Sequence, residues 1–319
     1  MSEKIPDISK QIFKEDTLGV LEKKYSTMGP MWVNQQMEWL NGVYASFKDH
    51  DKFLILIFLV KKTLDFYSRN FTKLTYNEFY SKETVQIEKF SIAEISEMLN
   101  IPKESTRRKV IELENAGAIR RIKHKIIIDR SKFYYSKPED SIKRISRFLS
   151  VLSGIAKDEN IISKELTSSE LELVIKNNFS YVWKIYYELQ IPMIIDYKKV
   201  FRDIETFHVF GICVVNEHLF AKKLSEDYMD RDEFLNSIFL TPTMPGINAM
   251  SISDITGIPR ATVIRKLKKL VKNKKLTIDQ KKHYRITDIF TIKIKPIQKD
   301  VLIKVASFSS KIFNLAILN

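Results

Sequence analysis

The chain has 319 residues, of which 44% are hydrophobic and 29% charged, a composition typical of a soluble globular protein with room for two domains. Its 8 glycines argue against glycine-rich phosphate loops, and its single cysteine, Cys213, excludes an internal disulfide. Residues 1–10 lack the apolar core of a signal peptide. The longest strongly apolar run, Phe53–Val60, is too short for a bilayer, which needs about 20 residues, so we expect a cytoplasmic, nucleoid-associated protein without membrane contact.

The positive charge is confined to two windows of the sequence. The net charge is +14 overall, +8 in residues 101–150 and +13 in residues 260–319, whereas residues 1–100 and 151–259 sum to −1 and −6. A uniformly basic protein would not show this distribution. Two localised basic surfaces indicate a polyanionic partner, and nucleic acid is the first candidate.

The first elements in chain order are predicted to be helices. Apolar residues recur at helical spacing in residues 15–28, 31–48 and 51–70. The same spacing returns after the first basic window, in residues 138–156 and 165–225, and near the end of the chain, in residues 298–316. We therefore expect helices to surround whatever the two basic windows form.

The first basic window begins with a predicted pair of short helices. Asn100 interrupts the first helical pattern, Pro102 favours a new helix start, and Ala116-Gly117 is a helix-stop signal. Ile92, Ile95, Met98 and Leu99 fall at helical spacing in the first helix, and the second helix has Thr106, Val110 and Leu113 on its inner face. A β-hairpin of Ala118–Arg121 and Ile126–Ile128 is predicted to follow, with Lys123, His124 and Lys125 at a basic tip.

This pattern occurs a second time at an offset of 157 residues. Residues 252–270 align with residues 95–113 without a gap, and Gly257 takes the turn position of Asn100. The second hairpin is predicted from Leu276–Ile278 and His283–Ile286, with residues 279–282 between them. The identical pairs are Ile95/Ile252, Ser96/Ser253, Ile101/Ile258, Pro102/Pro259, Arg108/Arg265, Lys109/Lys266 and Leu113/Leu270.

The segments Leu99–Val110 and Thr256–Leu267 resemble the helix-turn-helix core of bacterial winged-helix regulators of the GntR, IclR and MarR families. The resemblance covers roughly 40 residues in each half. It implies that the second helix of each pair enters the DNA major groove while the hairpin touches the backbone or the minor groove.

From this resemblance we expect a mainly α fold with small β-hairpin wings, in which tandem winged helix-turn-helix domains form a pseudo-dimer. The expected domains are residues 1–157, with a first winged helix at about 88–130, and residues 158–319, with a second at about 246–288. Each domain is expected to end in a trailing helix. A true homodimer of the chain would carry four such motifs.

A helical wheel places one arginine of each second helix on the side facing away from the core. Arg108 and Arg265 occupy equivalent outward positions, where a guanidinium could bind the O6 and N7 of guanine. Their outward neighbours are Glu104, Ile111 and Asn115 in the first copy and Ala261, Lys268 and Lys272 in the second. The two copies are therefore expected to bind related but non-identical half-sites. Our candidate DNA contacts are Lys103, Glu104, Ser105, Arg107, Arg108, Arg121, Lys123, Lys125, Arg260, Thr262, Arg265, Lys268, Lys269, Lys272, Lys281 and Lys282.

Two groups of these candidates have a structural alternative. Ser105 and Thr262 lie near helix starts, where a hydroxyl suits either a DNA phosphate or a helix cap. The wing lysines are expected to neutralise phosphates, although basic hairpin tips also keep edge strands soluble.

Other classes of function are less well supported by the sequence. It contains no GxxxxGK[ST], HExxH, GxSxG or paired CxxC motif, so we expect no enzyme activity, no cofactor and no metal. The favoured function is transcriptional regulation. A plasmid- or phage-type replication initiator with tandem winged helices, or a winged-helix protein-interaction module, stays open. An effector pocket also stays open, although aromatic residues such as Trp183, Tyr186, Tyr187 and Phe207 more often form core.

Overall fold

The structure is a computed structural model that describes residues 8–81, 84–87, 91–122, 125–129, 137–224, 228–241 and 243–318. It is mainly helical and contains two small antiparallel sheets. Within these residues, no helix is both long enough and apolar enough to cross a membrane.

The first half of the chain contains seven helices and three strands in the described residues. They are α1 (Lys14–Lys23), α2 (Tyr25–Phe47), α3 (His50–Arg69), α4 (Tyr76–Tyr80), β1 (Thr84–Ile87), α5 (Ile92–Met98), α6 (Lys103–Asn115), β2 (Ile119–Ile122), β3 (Lys125–Asp129) and α7 (Glu139–Asp158).

The second half repeats this order and adds one short helix, α14, before its last helix. Its elements are α8 (Ser168–Asn177), α9 (Phe179–Phe201), α10 (Ile204–Leu224), α11 (Arg231–Leu240), β4 (Ile247–Asn248), α12 (Ala249–Thr256), α13 (Arg260–Lys272), β5 (Leu276–Ile278), β6 (His283–Ile286), α14 (Asp288–Lys293) and α15 (Lys295–Leu318).

The repeat extends well beyond the segment that sequence comparison aligns. Helices α1 to α3 correspond to α8 to α10 at an offset of 154 residues, and α5 onward corresponds to α12 onward at 157. The helices α4 and α11 both begin with a capping box, in which Thr75 or Asp230 pairs with the glutamate three residues later. The first two helices also meet earlier than predicted, at Lys24, and α2 runs on through Pro30.

The two halves exchange helices and share one core. Helix α2 packs on α10, and its counterpart α9 packs on α3. Helix α1 likewise packs on α15 of the second half, while α8 packs on α7 of the first half. The buried apolar side chains of both halves form one continuous cluster. Each half therefore completes its hydrophobic core with helices of the other, an arrangement related by a pseudo-two-fold axis.

The same exchange is visible in individual hydrogen bonds. Ser26 in α2 donates its backbone N–H to the Met229 carbonyl (3.1 Å), and the Met229 N–H returns to the Ser26 hydroxyl (3.0 Å). Ser180 in α9 forms the matching pair with Leu74, at 3.0 and 2.9 Å. Each pair fixes the start of a long helix in one half to the residue that precedes a capping box in the other half. The two pairs therefore join the halves.

A histidine pair lies where α3 meets α10. His50 Nε2 is 3.2 Å from His208 Nδ1, and His208 Nε2 is 2.7 Å from Asn41 Oδ1. Both rings are buried, and burial lowers the pKa of His50 to about 4. The pair is therefore neutral at physiological pH and acts as a hydrogen-bonded contact between the halves.

Each half contains a three-stranded antiparallel sheet rather than an isolated hairpin. The strand orders are β1-β3-β2 and β4-β6-β5. The strands β1 and β4, which precede the paired helices, were not predicted, since they are only four and two residues long. The mainly α fold with small β-hairpins is confirmed.

Candidate nucleic-acid interface

Two equivalent units with the element order αβααββ overlap the two basic windows. The first unit spans α4 to β3 (residues 76–129), and the second spans α11 to β6 (residues 231–286). In each, the paired helices are followed by the hairpin, as the sequence predicts.

A short turn with a fixed conformation joins the two helices of each unit. Asn100 and Gly257 take the left-handed conformation, with φ of 49° and 67°. In the first unit the Ser96 hydroxyl donates to the Ile101 carbonyl at 2.7 Å, and Ser253 donates to the corresponding Ile258 carbonyl at the same distance. The serine repeated in both copies therefore closes the turn, a role that the sequence alone did not reveal.

The inner and outer faces of α6 and α13 are those that the helical wheel predicts. The inner residues are buried, and they are Thr106, Val110 and Leu113 in α6 and Val263, Leu267 and Leu270 in α13. The outward residues are exposed, and they are Glu104, Arg108, Ile111 and Asn115 in α6 and Ala261, Arg265, Lys268 and Lys272 in α13. The side chain of Arg108 is 69% exposed, so it is available to a ligand outside the unit.

Buried lysines attach both helices to the central helices. Lys266 Nζ lies 2.6 Å from Asp203 Oδ1 and 3.3 Å from Glu205 Oε2, at the start of α10. Lys109 makes the equivalent ion pair with Asp49, which caps the start of α3. Sequence comparison identified the repeated lysine but not its partner. Its role is to hold the helix rather than to present charge.

The bonds to these lysines change the acidity of their partners. Burial tends to raise the pKa of the Asp203 carboxyl, but hydrogen bonds from Lys266 and Thr206 outweigh it and hold the pKa below its ordinary value. The pKa of Asp49 is lowered in the same way, since burial is outweighed by Lys109 and by backbone N–H groups. Both carboxylates are therefore charged at neutral pH.

Several predicted contacts on α6 and α13 are exposed but already near a carboxylate. Arg107 is 3.8 Å from Glu104, Arg108 is 3.7 Å from Glu112, and Lys269 is 4.0 Å from Asp203. These are long, partly exposed pairs, which contribute little energy and leave the cations able to rearrange. The remaining predicted cations of these helices, Lys103, Arg260, Arg265, Lys268 and Lys272, are exposed.

Arg121, a predicted DNA contact, forms an ion pair within its own unit. Its Nε and Nη2 donate to Glu114 Oε2 at 2.9 and 2.5 Å, so the guanidinium joins β2 to the end of α6. This ion pair also lowers the pKa of Glu114, with the hydrogen bond from Arg121 as the largest cause. Arg121 therefore stabilises the unit.

Ser105 and Thr262 are not helix caps, which corrects one of the two predicted alternatives. The N-cap residues of α6 and α13 are Pro102 and Pro259, which form no side-chain cap. Ser105 and Thr262 each stand three residues further on and are half-buried. Contact of their hydroxyls with a DNA phosphate stays a prediction.

The hairpin tips differ from their prediction in the first unit. Lys125 pairs with Ile122 as the first residue of β3, so it lies in a strand rather than at the tip, and its side chain is outside the described residues. Lys123 and His124 are also outside the described residues. The ladder between β2 and β3 extends to this pair, so each strand reaches one residue beyond its predicted end.

The second tip is the predicted four-residue turn. Lys281 and Lys282 are exposed, and Lys282 has a left-handed φ of 61°. Asp279 accepts a hydrogen bond from the backbone N–H of His283 at 2.8 Å, which closes the turn. His283 itself opens β6. The turn therefore presents adjacent lysines at the end of the sheet.

The helices α6 and α13 reach the same central region of the molecule. A polar groove there is lined by Ser105, Arg108 and Lys109 of the first unit together with Arg202 and Asp203 between α9 and α10. Asp203 is also the partner of Lys266 in α13. Because Asp203 pairs with α13 and lines the groove beside α6, both helices flank the junction of the two halves.

No protein-family model, no curated protein and no solved structure matches this chain.

Proposed function

We propose that this chain is a sequence-specific double-stranded DNA-binding protein that regulates transcription through two winged helix-turn-helix domains. The observation that carries the proposal is that α6 and α13, at equivalent places in a pseudo-two-fold fold, each turn an arginine and further polar or basic residues outward. The repeated Arg108 and Arg265 are the central pair.

The order of elements supports a winged helix in each unit. A helix and a short strand precede the helix pair, and a hairpin follows and pairs with that strand. In this arrangement the second helix of the pair is the DNA-reading helix, and the hairpin is the wing.

The exposed side chains suggest a division of roles between the units. Arg108 and Arg265 suit bidentate bonds to guanine, each worth about 1–3 kcal/mol of discrimination. Glu104 in the first unit suits the N4 amino group of cytosine, whereas the equivalent Ala261 offers no polar group. The second unit has more cations on α13, so it depends more on phosphates.

The covalent link between the units replaces dimerisation. Dimeric winged-helix proteins bind two half-sites about one helical turn apart. Here the second unit binds at a high effective concentration once the first is bound. Ion pairs at Asp49 and Asp203 fix both helices to the central helices, which favours one defined spacing of the half-sites.

The test compares wild type with Arg108→Ala and Arg265→Ala in a selection of genomic DNA fragments over a range of salt concentrations. We expect discrete fragments to be enriched, affinity to fall steeply with salt, and each substitution to relax sequence preference in one half-site only. The matched control is Lys164→Ala, which removes one exposed charge outside both units.

The same experiment separates the proposal from its alternatives. Enriched promoters favour transcriptional regulation, whereas iterated repeats beside an origin favour a replication initiator. Weak, sequence-independent binding that neither arginine substitution alters would contradict the proposal and leave the units as protein-binding surfaces.

A further inference from the structure

A cavity in the first half is only partly filled by the chain. It encloses about 130 Å³ between α2, α3, α4, β3, α7 and α9, and eight of its lining side chains are aromatic. These aromatic residues include Trp39, Phe53, Trp183, Tyr186 and Tyr187. The charged lining residues are exposed or half-buried, so the closed end of the cavity is apolar and the open end polar. Such a lining suits an uncharged ring with a single polar substituent.

The second half has a cavity at the equivalent place, but it is much smaller. It encloses about 60 Å³, and most of its lining residues correspond to those of the first cavity at the 154-residue offset. Phe207 there corresponds to Phe53, and Val214 corresponds to Val60. The two cavities are therefore the same site in the two halves of the repeat.

Several substitutions distinguish the two cavities, and one of them adds a phenol ring to the second. Tyr197 stands in the second half where Val43 stands in the first. The Tyr197 ring stacks on Phe207 with a centroid separation of 4.3 Å and an interplanar angle of 9°. In the first half the rings of Trp39 and Phe47 pack against Phe53, at centroid separations of 5.4 and 5.3 Å, and Val43 adds no ring. The first cavity therefore lacks the phenol ring that the second half places at this position.

The size and walls of the first cavity fit one aromatic ring. An apolar cavity of about 150 Å³ is sufficient to hold benzene in a protein core. Aromatic walls favour a bound ring beyond the apolar area that it buries, because rings prefer edge-to-face and offset contacts with one another. A space that a tyrosine ring occupies in the repeated half fits the same ring delivered as a free molecule.

We propose that the cavity beside Val43 and Phe53 binds a small single-ring aromatic molecule of the phenol type. The ligand would contact α2, α3 and α4 of the first half and α9 of the second half. Binding at this site does not depend on nucleic-acid binding, so the two proposals can fail separately.

The test titrates phenol into the protein and follows tryptophan fluorescence, with calorimetry as a second readout. Trp39 and Trp183 line the cavity, so saturable binding should change their emission. Val43→Tyr copies the second half and should weaken phenol binding at least tenfold. Cyclohexanol, which has similar size but no aromatic ring, should bind more weakly than phenol.

A second variant tests the same cavity by another route. Gly42 lines the cavity, and a Cβ added there meets no atom within 4 Å, so Gly42→Leu should fill the space without distorting α2. Gly19→Leu in α1 is the matched control, because its Cβ also meets nothing within 4 Å and it lies elsewhere. We expect Gly42→Leu to abolish binding and Gly19→Leu to leave it unchanged. The proposal would be overturned if wild type showed no saturable phenol binding. It would also be overturned if Val43→Tyr and Gly42→Leu both bound phenol like wild type, or if cyclohexanol bound as tightly as phenol.

Discussion

Lys266 places its ammonium group 2.6 Å from Asp203 Oδ1, and this bond attaches the helix α13 to the start of α10. Lys109 and Asp49 form the same bond at the equivalent place in the first half. The lysine side chains are largely buried although their helices expose other cations. On each helix, the residue that attaches the helix is therefore distinct from the cations that it exposes.

We predict that Lys266→Met destabilises the protein by about 1–3 kcal/mol, because it leaves a partly buried carboxylate without its main partner. The measurement is the free energy of unfolding in urea. The control is Lys268→Met, which removes an exposed charge from the same helix and should change stability by less than about 0.5 kcal/mol. Equal stability of the two variants would contradict a structural role for Lys266.

We predict a stability change with pH that arises from Glu217. This carboxyl is fully buried in α10 and accepts a hydrogen bond from the Ile286 N–H at 2.7 Å. Burial raises its pKa from 4.5 to about 7 despite the nearby Arg285. The folded state therefore holds this proton more tightly than the unfolded state does. The contribution of Glu217 is fully present below pH 4.5 and falls as pH rises to about 7.

Glu217→Gln should remove this dependence, since the amide oxygen can still accept the Ile286 N–H. The stability of the variant relative to wild type should rise by about 3 kcal/mol between pH 4.5 and about 7. Urea unfolding at several pH values measures the difference. The exposed substitution Glu97→Gln should show no such trend, and a flat difference for Glu217→Gln as well would refute the prediction.

We predict that two substitutions at Gly257 destabilise the protein to different extents. Its φ of 67° is left-handed, and a Cβ there meets no atom within 4 Å, so backbone strain alone decides the outcome. Gly257→Ala should cost about 1 kcal/mol. Gly257→Asn should cost less, because asparagine adopts this conformation more readily and already does so at Asn100 in the first half. Thermal unfolding of both variants checks the order, and an alanine variant as stable as the asparagine variant would count against it.

We predict that the second wing contributes affinity but not sequence preference. Replacing both Lys281 and Lys282 by alanine should reduce the slope of log affinity against log salt by up to about 2, since each phosphate contact contributes about 0.9. The enriched fragments should stay the same. The control replaces Lys164 and Lys199, two exposed lysines outside both units, and should leave the slope unchanged. An unchanged slope in the wing variant would remove the wing from the interface.

The local parts of the candidate site could be predicted from sequence because short-range signals specify them. The turn at Asn100 and Gly257 combines a left-handed residue with a proline two residues later, and the apolar spacing fixes which face of each helix is buried. The exposure of Arg108 and Arg265 follows from that spacing. These features need no knowledge of the rest of the chain.

The remaining parts depend on contacts between distant residues. Asp49 and Lys109 are 60 residues apart, and Asp203 and Lys266 are 63 apart, so no local pattern joins them. Apolar stripes on α1 and α8 predict that these helices are packed, but they do not say against which half. Sequence similarity between the halves is weak outside the basic windows, because core positions accept different apolar residues of suitable volume.

The exchange of α1 and α8 has a consequence for the covalent order of the chain. Residues 159–167 join α7 to α8, and the equivalent junction, between α15 and α1, is bridged by hydrogen bonds instead of a peptide. There the Asn314 side chain accepts from the Ile12 N–H and donates to the Ile12 carbonyl, both at 2.9 Å. The fold is therefore a closed ring of helices with two equivalent places at which it can be opened. A circular permutant with a linker between α15 and α1 and new termini in residues 159–167 should reach the same structure, because the cut only exchanges the two junctions.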